Sequence, residues 1–583
     1  MTKRARSLTP PAAGVGPNKP ATSISRATEP TNISAHPAKR THADVEFLPR
    51  KIASAANAAA ADGHTPFSQL QAAMGPRLTT KTGQGDAVVF WMRMQDMRIR
   101  DNRAFGQASE YARQHGLPLI ALFILSPQDY VAHDRSARRI DFTLRNLTHV
   151  KESLAELNIP LRVITHSPRN TLPERVVEIL SEWNAARLFA NIEHEVDELR
   201  RDIRVFLTKD GRGYTVYSPF LRSWLPHLTD NSDPLACAPR VESNDPTVRQ
   251  HPIFGKFFNA AGPESVEGFE LSGEDAKMMR LCWPAGEDAA HEILRRFLQT
   301  KARTSQFGAA DPLALGASEP KAGLKDSRIG KYKDARDRVD ADTTSRLSAY
   351  LSAGVISARE CIRATLALSN HKQPKIDASR DTGIGRWVQE LAWRDFYTHV
   401  LALFPRVSMG RPFQETFAKV SWETNEAHLQ AWKDGRTGVP IVDAGMRQAN
   451  KMGWMHNRLR MITAMYLVKD LMIDWRLGEK YFMETLIDGD LASNNGGWQW
   501  SASTGVDPVP YFRIFNPYTQ SKKADPSGDY IRYFVPELGK VFGDEIHNPS
   551  PRLAEKLGYP TPLVKHDEAR QRAIRRYKNP GDV

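Results

Sequence analysis

The richest chemical pattern in this 583-residue sequence is a run of amides, glycines and indoles. The triplet DGD at 488–490 is followed by NNGGWQW at 494–500. Glycines permit a close approach of the backbone to a ligand, and amides supply oriented hydrogen-bond donors and acceptors. The run contains few strong helix formers and would pack poorly as ordinary core, so it is better suited to wrapping a planar ring system.

A second pattern lies in WVQELAWRDFY, residues 387–397. Glu390, Trp393, Arg394 and Tyr397 are spaced three or four apart and share one face of a predicted helix. A carboxylate beside an indole and a guanidinium can hold a base edge and a phosphate. Taken alone, the pattern fits a surface Glu–Arg pair beside buried aromatic residues better.

Two shorter patterns could contact an anion or a base. Residues 344–348 (TSRLS) place hydroxyls and free backbone N–H groups at a predicted helix start, where the helix dipole favours negative charge. When this pattern stands alone, ordinary N-capping by Ser or Thr is the favoured explanation. In HNRLRM at 456–461, Asn457, Arg460 and Met461 share a helical face.

Short apolar runs alternate with helix-like stretches in the first half of the chain. Strands are predicted at 87–92, 117–125, 161–165 and 187–192, with helices at 103–114, 136–157, 172–185 and 195–208. Continuous apolar strands separated by helices indicate a parallel sheet covered on both faces. The sequence has no GxGxxG after the first strand and no GxxxxGK[ST]. It therefore lacks the motifs that identify an ordinary dinucleotide-binding fold or a P-loop fold.

Composition divides the whole chain into four parts. We expect a disordered basic tail at 1–84, an α/β domain at 85–225, a linker rich in Pro, Asp, Asn and Ser at 226–285, and an all-helical domain at 286–583. In the last part, helices are predicted at 384–403, 441–450, 456–474 and 478–487. Ser357 and Glu360 form a predicted capping box.

Charge and cysteine content narrow the function classes. A formal net charge of +13 favours a polyanionic partner, with nucleic acid first. The three cysteines form no CxxC or Cys/His cluster, which argues against a zinc site and a disulfide framework. No apolar run is long enough to span a membrane, so we expect a soluble protein. Basic clusters at 3–6 and 39–40 could be a nuclear address, and the absence of acidic residues before Glu29 is typical of a mitochondrial presequence.

The order of these patterns resembles a known family. The segments TTSRLSAYLSAG, WVQELAWRDFY, GWMHNRLRMITA, YFMETLIDGDLASNNGGWQWSASTG and PYFRIFNP are similar to the flavin domain of class I cyclobutane pyrimidine dimer photolyases, in the photolyase/cryptochrome family. The resemblance runs from about Ala87 to about Leu538. It implies a Rossmann-like α/β domain, a long linker, an all-α FAD-binding domain, and a monomer that acts on UV-damaged DNA.

By this resemblance, one set of residues would hold FAD. These residues are Tyr332, Thr344, Ser345, Arg346, Leu347, Ser348, Trp387, Arg460, Asp488, Gly489 and Asp490. Asn494 takes the position that faces flavin N5, where a neutral amide adds no competing negative charge.

The resemblance also assigns a lesion pocket and a DNA face. The pocket residues are Glu390, Trp393, Asn457, Met461 and Trp500. The residues assigned to the DNA face are Arg336, Arg394, Tyr397, Arg458, Arg513 and Gln520. Photolyases flip the dimer out of the duplex, which costs less for a poorly stacked dimer. Related enzymes for (6-4) photoproducts have two histidines where this chain has Asn457 and Met461, so the sequence favours cyclobutane dimers.

Electron transfer is the chemistry that the resemblance implies. Excited, fully reduced FAD would donate an electron to the dimer, the cyclobutane ring would split, and the electron would return. Trp498, Trp475 and Trp422 correspond to a tryptophan chain that relays electrons from the surface to oxidised FAD. A cryptochrome-type photoreceptor and a (6-4) photolyase are the alternatives, because function depends on the site and not on the fold.

A second, antenna chromophore is also implied. Glu198 takes the position of a folate-contacting carboxylate, although Asp197, Ser408 and Met409 depart from the residues of some folate-binding members. Methenyltetrahydrofolate is favoured over a deazaflavin. The nucleus is the predicted location, with the mitochondrion as a further one.

Overall fold

Four parallel strands pair in the order β3-β2-β1-β4. The strands are β1 Ala87–Met92, β2 Leu119–Leu125, β3 Leu161–Thr165 and β4 Ala185–Phe189. They belong to a computed structural model that describes residues 52–66, 68–69, 72, 85–191, 208, 210, 212–230, 234–303, 312–313, 321–368 and 375–581. Val88 pairs with Leu119, and Ala121 pairs with Leu161. The predicted parallel sheet is confirmed.

Two strands differ from their predicted bounds. β2 begins at Leu119, two residues late, directly after Pro118, which has no N–H to give to a ladder. β4 spans Ala185–Phe189 where 187–192 was predicted. The preceding helix ends at Glu182 and Asn184 adopts a positive φ of 44°, so the chain turns into the strand earlier than its apolar residues suggest.

In the part of the chain that the structure describes, helices form most of the remaining regular structure. They are α1 Ala55–Gly63, α2 Arg103–Gln114, α3 Pro127–Ala132, α4 Ala137–Glu156, α5 Leu172–Glu182, α6 Tyr217–Asp230, α7 Gly255–Asn259, α8 Gly273–Cys282, α9 Glu287–Gln299, α10 Arg328–Ala335, α11 Ser348–Ser352, α12 Ala358–Leu366, α13 Gly383–Leu403, α14 Glu426–Lys433, α15 Pro440–Met452, α16 Asn457–Met465, α17 Trp475–Thr485, α18 Leu491–Ser501, α19 Pro517–Ala524, α20 Asp529–Phe534, α21 Pro551–Lys556 and α22 His566–Lys578. None of the described helices is both long and apolar enough to cross a bilayer.

Both faces of the sheet are buried. Phe90 and Phe123 pack on one side, in a core cluster that also contains Trp387 of the helical region. Val89 and Leu122 pack on the other side, in a second cluster. This alternation follows from the two-residue period of a strand and explains why the strands are apolar throughout. The division of the chain at 225 and 285 stays a prediction.

The helical second half agrees with the sequence except at one point. The capping box of Ser357 and Glu360 is confirmed, with both reciprocal hydrogen bonds. A single helix at 456–474 was wrong, because α16 ends at Met465 and a π-helical turn follows at Tyr466–Asp470. Met472 then takes a positive φ of 53°, which ends helical continuation. The helix predicted at 195–208 lies almost entirely outside the described residues.

Helix α1 is an exception to the tail expected at 1–84. Its seven-residue core is nearly all alanine, the strongest helix former, and the sequence offered no apolar period to reveal it. The helix lies against the 3₁₀ turn Pro405–Met409: Arg406 Nε pairs with Asp62 at 2.7 Å, and the Ala53 N–H donates to the Met409 carbonyl at 3.2 Å. Tertiary contacts therefore stabilise it.

A buried carboxylate joins the α/β layer to the helices. Asp101 Oδ2 accepts from the Ser357 hydroxyl at 2.6 Å and lies 3.0 Å from both Arg359 Nε and Arg363 Nη2. Burial would raise the pKa of Asp101, but these partners outweigh burial and lower it from 3.8 to about 2. The ionised carboxylate is thus a specific tie between the two regions.

Substituting Asp101 tests this tie. Asp101→Asn should lower the free energy of unfolding by about 3 kcal/mol at neutral pH, because it leaves the fully buried Arg359 side chain without its counter-ion. A lowered pKa stabilises the fold above the ordinary value of 3.8 and loses that contribution as the pH falls through about 2. The difference between wild type and variant in urea unfolding should therefore shrink over that interval.

The exposed pair of Arg100 and Asp288 supplies the control. Their side chains are 58% and 87% exposed, so Asp288→Asn should change stability by no more than about 0.5 kcal/mol. Equal losses in the two variants would show that the Asp101 pairing has no special role.

Candidate active site

The segment 344–348 forms a tight turn that leads into α11. Arg346 has a φ of 57°, and the next residue, Leu347, is right-handed helical. Such an alternation turns successive N–H groups to one side and creates an anion-binding concavity. Leu347 itself is the N-cap residue and makes no side-chain capping bond, so ordinary capping by a hydroxyl does not explain the pattern.

The hydroxyls and carbonyls of this turn are held by neighbours. Ser345 Oγ accepts from the Leu347 N–H at 3.4 Å, and Ser348 Oγ accepts from Trp454 Nε1 at 3.1 Å. The Thr344 carbonyl accepts from Arg296 at 3.3 Å. The turn therefore has a fixed shape before any ligand binds.

Arg460 and Asp488 join α16 to the segment before α18. Arg460 Nη2 donates to Asp488 Oδ2 at 2.8 Å, and Arg460 Nε donates to the Met455 carbonyl at 2.8 Å. The Asp488 side chain is 3% exposed, and its Oδ1 has no hydrogen-bond partner among the described residues. A buried acceptor in this state costs free energy unless a ligand donates to it. FAD, which carries hydroxyl and N–H donors, fits this position.

The two residues after Asp488 fix the start of α18. The Gly489 carbonyl accepts from Arg135 Nη1 at 3.2 Å. Asp490 is the N-cap of α18, and its Oδ1 accepts from the Ser493 N–H at 2.6 Å. The amide- and glycine-rich run, poor in strong helix formers, is therefore a helix with an anchored start.

Asn494 and Asn495 both contact Glu479 of α17. Asn494 Nδ2 donates to the Glu479 backbone carbonyl at 2.9 Å, and Asn495 Nδ2 donates to Glu479 Oε1 at 2.8 Å. Burial raises the pKa of Glu479 to about 7, although the Asn495 hydrogen bond opposes it. The sequence analysis missed Glu479, because a single Glu in an amphipathic helix carries no pattern of its own.

Glu390 pairs with Arg336 of the segment after α10. Burial raises the pKa of Glu390, and the Arg336 charge opposes this rise. Beside this pair, Asp337 Oδ2 accepts from Arg458 Nη2 at 2.7 Å. The Glu390–Arg394 pair that the helical spacing suggested is not the one formed, because Arg394 donates to the Leu351 carbonyl at 3.3 Å.

Aromatic rings surround the Glu390 face of α13. Trp393 stacks on Tyr217 with ring centroids 3.6 Å apart and an angle of 5°, and Tyr397 lies 5.6 Å from Trp393. A Cβ on Gly496 would fall 2.2 Å from the Tyr397 ring, so α18 approaches α13 this closely only because residue 496 is glycine. The Tyr217 contact, made from α6, was not visible in the sequence.

The other residues assigned to the pocket and DNA face lie on surfaces of different depth. Met461 and Trp500 are half-buried, with Trp500 6.5 Å from Phe515. Asn457 and Arg513 are exposed, and Gln520 is half-exposed. Side chains with this degree of exposure are accessible to a large ligand that approaches from the solvent.

Tyr332 and Trp387 flank the ring of Phe297. Their ring centroids lie 5.6 Å and 5.1 Å from that of Phe297. Burial raises the pKa of Tyr332 well above its usual range. The structure thus brings two residues assigned to the cofactor to one aromatic cluster, through a third that the sequence analysis missed.

The three tryptophans of the predicted relay lie along two neighbouring segments. A Cβ on Gly478 would fall 2.1 Å from the Trp498 ring, so this indole packs on the helix that begins with Trp475. The residue after Trp422, Glu423, donates through its N–H to the Met472 carbonyl at 2.7 Å, just before that helix. Trp498 and Trp475 are 2% and 1% exposed, whereas Trp422 is half-buried and is the member of the three that solvent reaches.

The residues assigned to the antenna are only partly described. Glu198 lies outside the described residues. Ser408 and Met409 lie in the 3₁₀ turn Pro405–Met409, on which α1 packs.

Two sequence families match this chain. Residues 88–206 match the family described as DNA photolyase, and residues 387–579 match the FAD binding domain of DNA photolyase. A relative from Neurospora crassa named deoxyribodipyrimidine photo-lyase is 39% identical, covering 91% of this chain and 89% of that one. One of the same name from Escherichia coli is 38% identical, covering 84% and 98%. A Saccharomyces cerevisiae relative named deoxyribodipyrimidine photo-lyase, mitochondrial, is 31% identical, covering 84% and 86%.

Solved structures are also similar. A bacterial class III photolyase from Agrobacterium tumefaciens has a TM-score of 0.63 at 30% identity, covering 86% of this chain and 98% of that one. A cryptochrome from Synechocystis has a TM-score of 0.58 at 23% identity, covering 85% and 100%, which is a likeness of fold alone.

Proposed function

The chain belongs to the DNA photolyase family, and on that premise we propose that it is a deoxyribodipyrimidine photo-lyase, which repairs cyclobutane pyrimidine dimers in DNA under light. The observation that carries this proposal is the Glu390 face of α13. There a carboxylate of raised pKa, paired with Arg336, lies on one helical face with Trp393, whose ring is stacked on Tyr217. A cryptochrome-type photoreceptor or a (6-4) photolyase is not favoured by any of these contacts.

FAD supplies, when bound, the electron that opens the cyclobutane ring after excitation by blue light. Asp488 Oδ1 would hold it because this buried oxygen has no hydrogen-bond partner among the described residues. The turn at 344–348 would hold it because its backbone, with a positive φ at Arg346, forms an anion-binding concavity. Asn494 would present an amide towards the flavin ring, with its Nδ2 tied to the Glu479 carbonyl.

The pocket residues bind and orient the flipped dimer. Trp393 can stack on a base with the ring face that Tyr217 does not cover, and Trp500 and Met461 add half-buried apolar surface. Glu390, whose pKa is raised by burial, can form a hydrogen bond to a base edge of the dimer. Asn457 offers an amide in place of a charged group.

The DNA face would bind phosphates around the lesion. Arg513 is exposed and Gln520 half-exposed, and both can reach a backbone that lies on this surface. Arg336 and Arg458 are already paired with Glu390 and Asp337, so we propose that DNA phosphates compete for them as the dimer enters. Arg394 and Tyr397 then act as supports, through the Leu351 carbonyl and the Trp393 ring.

Trp422, Trp475 and Trp498 would relay an electron from an external reductant to oxidised FAD. Indole is the side chain that most readily gives up an electron, and the half-buried Trp422 offers a solvent-accessible end to a path whose other two members are buried. The path serves preparation of the reduced cofactor and not the repair step.

We also propose a methenyltetrahydrofolate antenna, monomeric action, and a nuclear location with a mitochondrial one in addition. Support for the antenna is the resemblance at Glu198. The mitochondrial location is supported by the name of the yeast relative.

Because α1 packs on the turn that carries Ser408 and Met409, deleting residues 1–66 would show whether this helix and the antenna compete for that turn.

Repair of a single thymine dimer in duplex DNA tests the proposed function, with purified protein and reduced flavin, in blue light and in darkness. Wild type should restore the dimer in light alone. Glu390→Ala should lower the repair rate at limiting substrate about tenfold while flavin content is unchanged, since one hydrogen bond to the dimer, of ~1.5 kcal/mol, is removed.

Glu292→Ala, in a half-buried ion pair with Arg295 on α9, is the matched control and should repair like wild type. Light-dependent repair of a (6-4) lesion in place of the thymine dimer, or no repair by flavin-loaded wild type, would contradict the proposal.

Photoreduction of oxidised FAD tests the relay separately. Trp498→Phe should slow photoreduction at least about tenfold, which corresponds to ~1.4 kcal/mol of activation free energy. The repair rate after chemical reduction of the flavin should be unchanged. The control is Trp432→Phe, because Trp432 is a fully buried indole 6.0 Å from Trp498 that is outside the relay. Equal slowing in both variants would assign the effect to packing.

A further inference from the structure

Three arginines converge on one carboxylate oxygen beneath the turn at 344–348. Asp342 Oδ2 accepts from Arg296 Nη1 at 2.9 Å, from Arg303 Nη2 at 3.1 Å and from Arg328 Nη2 at 3.1 Å. These guanidiniums come from α9, from the segment after it, and from the start of α10. Among the described residues, Asp342 is the carboxylate with which these three form ion pairs.

The cluster carries more positive than negative charge in a buried place. The side chains of Arg296 and Arg328 are fully buried, that of Asp342 is 3% exposed, and that of Arg303 is 22% exposed. Burial lowers the pKa of Arg296 to about 10, against the attraction of Asp342. Within the described part of the chain, two of the three positive charges have no carboxylate of their own, and their mutual repulsion in a low dielectric is unfavourable.

The surplus charge lies directly against the turn. Arg296 Nη2 donates to the Thr344 carbonyl at 3.3 Å, and Arg328 Nε donates to the Asp342 carbonyl at 3.1 Å. Asp342 precedes Thr344 by two residues, so any movement of the cluster would move the turn. The turn itself has the left-handed Arg346 followed by the right-handed Leu347, a backbone shape that collects N–H groups for an anion.

We propose that Arg296, Arg303, Arg328 and Asp342 form a positioning cluster whose surplus of two positive charges is balanced by the pyrophosphate of the bound cofactor. This inference rests on the proposed function, since it takes FAD as the ligand. Asp342 fixes the direction of the three guanidiniums and neutralises one of their three positive charges. The bound pyrophosphate, a dianion, neutralises the other two. The apoprotein therefore retains an electrostatic strain that the holoprotein does not.

Arg303→Ala separates positioning from simple scaffolding, because Arg303 is the partly exposed member of the cluster. The apoprotein of this variant should be as stable as wild-type apoprotein or more stable, since a like-charge repulsion is removed. Its affinity for FAD should fall at least about fivefold. Inorganic pyrophosphate should raise the melting temperature of wild-type apoprotein by more than that of the variant.

Two further variants complete the design. Arg303→Lys keeps the charge and should recover most of the affinity for FAD. Arg295→Ala is the matched control on α9, the helix that carries Arg296, because Arg295 pairs with Glu292 at 2.7 Å and not with Asp342. It should bind FAD and pyrophosphate like wild type.

Three results would overturn the inference. Wild-type affinity in Arg303→Ala would show that the surplus charge does not act on the ligand. A loss of apoprotein stability that accounts for the loss of affinity would show that Arg303 is only structural. Wild-type protein that binds no FAD would remove this inference together with the proposed function, whereas FAD-binding wild type with an unaffected Arg303→Ala variant removes this inference alone.

Discussion

Buried carboxylates impose the constraint on which this structure depends. An ionised group can leave water only if charges and hydrogen bonds replace its hydration, and at Asp101 and Asp488 arginine supplies part of that replacement. At Asp101 the solution is complete, and it ties the α/β layer to the helices. At Asp488 it is incomplete, because Arg460 satisfies one oxygen and leaves the other without a partner in the described structure. The paired Asp101 therefore ties two regions of the fold together, and we propose that the second oxygen of Asp488 accepts a hydrogen bond from the ligand.

Close approach between helices brings the functional groups together. Gly496 lets α18 lie on the Tyr397 ring of α13, and Gly478 lets the Trp498 ring lie on α17. A side chain at Gly496 would need α18 to move away from Tyr397 of α13, and a side chain at Gly478 would need the Trp498 ring to move away from α17. The same run of residues therefore supplies both the amides of the site and the small volume that the packing requires.

The sequence predicted features that depend on local rules, and missed those that depend on tertiary contact. β1 has its predicted bounds because its run of six apolar residues is too short for a buried helix and is rich in the Val and aromatic residues that favour strands. Glu360 caps the helix that starts after Ser357, a signal that is complete within four residues. The Arg336–Glu390 pair joins residues 54 positions apart, so helical spacing pointed instead to Arg394. The end of α16 was missed because the positive φ that ends helical continuation occurs at Met472. A glycine would have marked this position in the sequence, and a methionine does not. Family resemblance, and not spacing, assigned the cofactor and the lesion.

Binding of FAD to apoprotein tests the role of Asp488 most directly. Titration calorimetry of wild type and Asp488→Ala compares a site with its buried acceptor and a site without it, and circular dichroism checks that both are folded. Wild type should bind one FAD per chain, and the variant should bind at least about tenfold more weakly, as expected for ~1.4 kcal/mol from a hydrogen bond to a charged group. Equal affinity in two folded proteins would contradict the assignment of the free Asp488 oxygen to the cofactor.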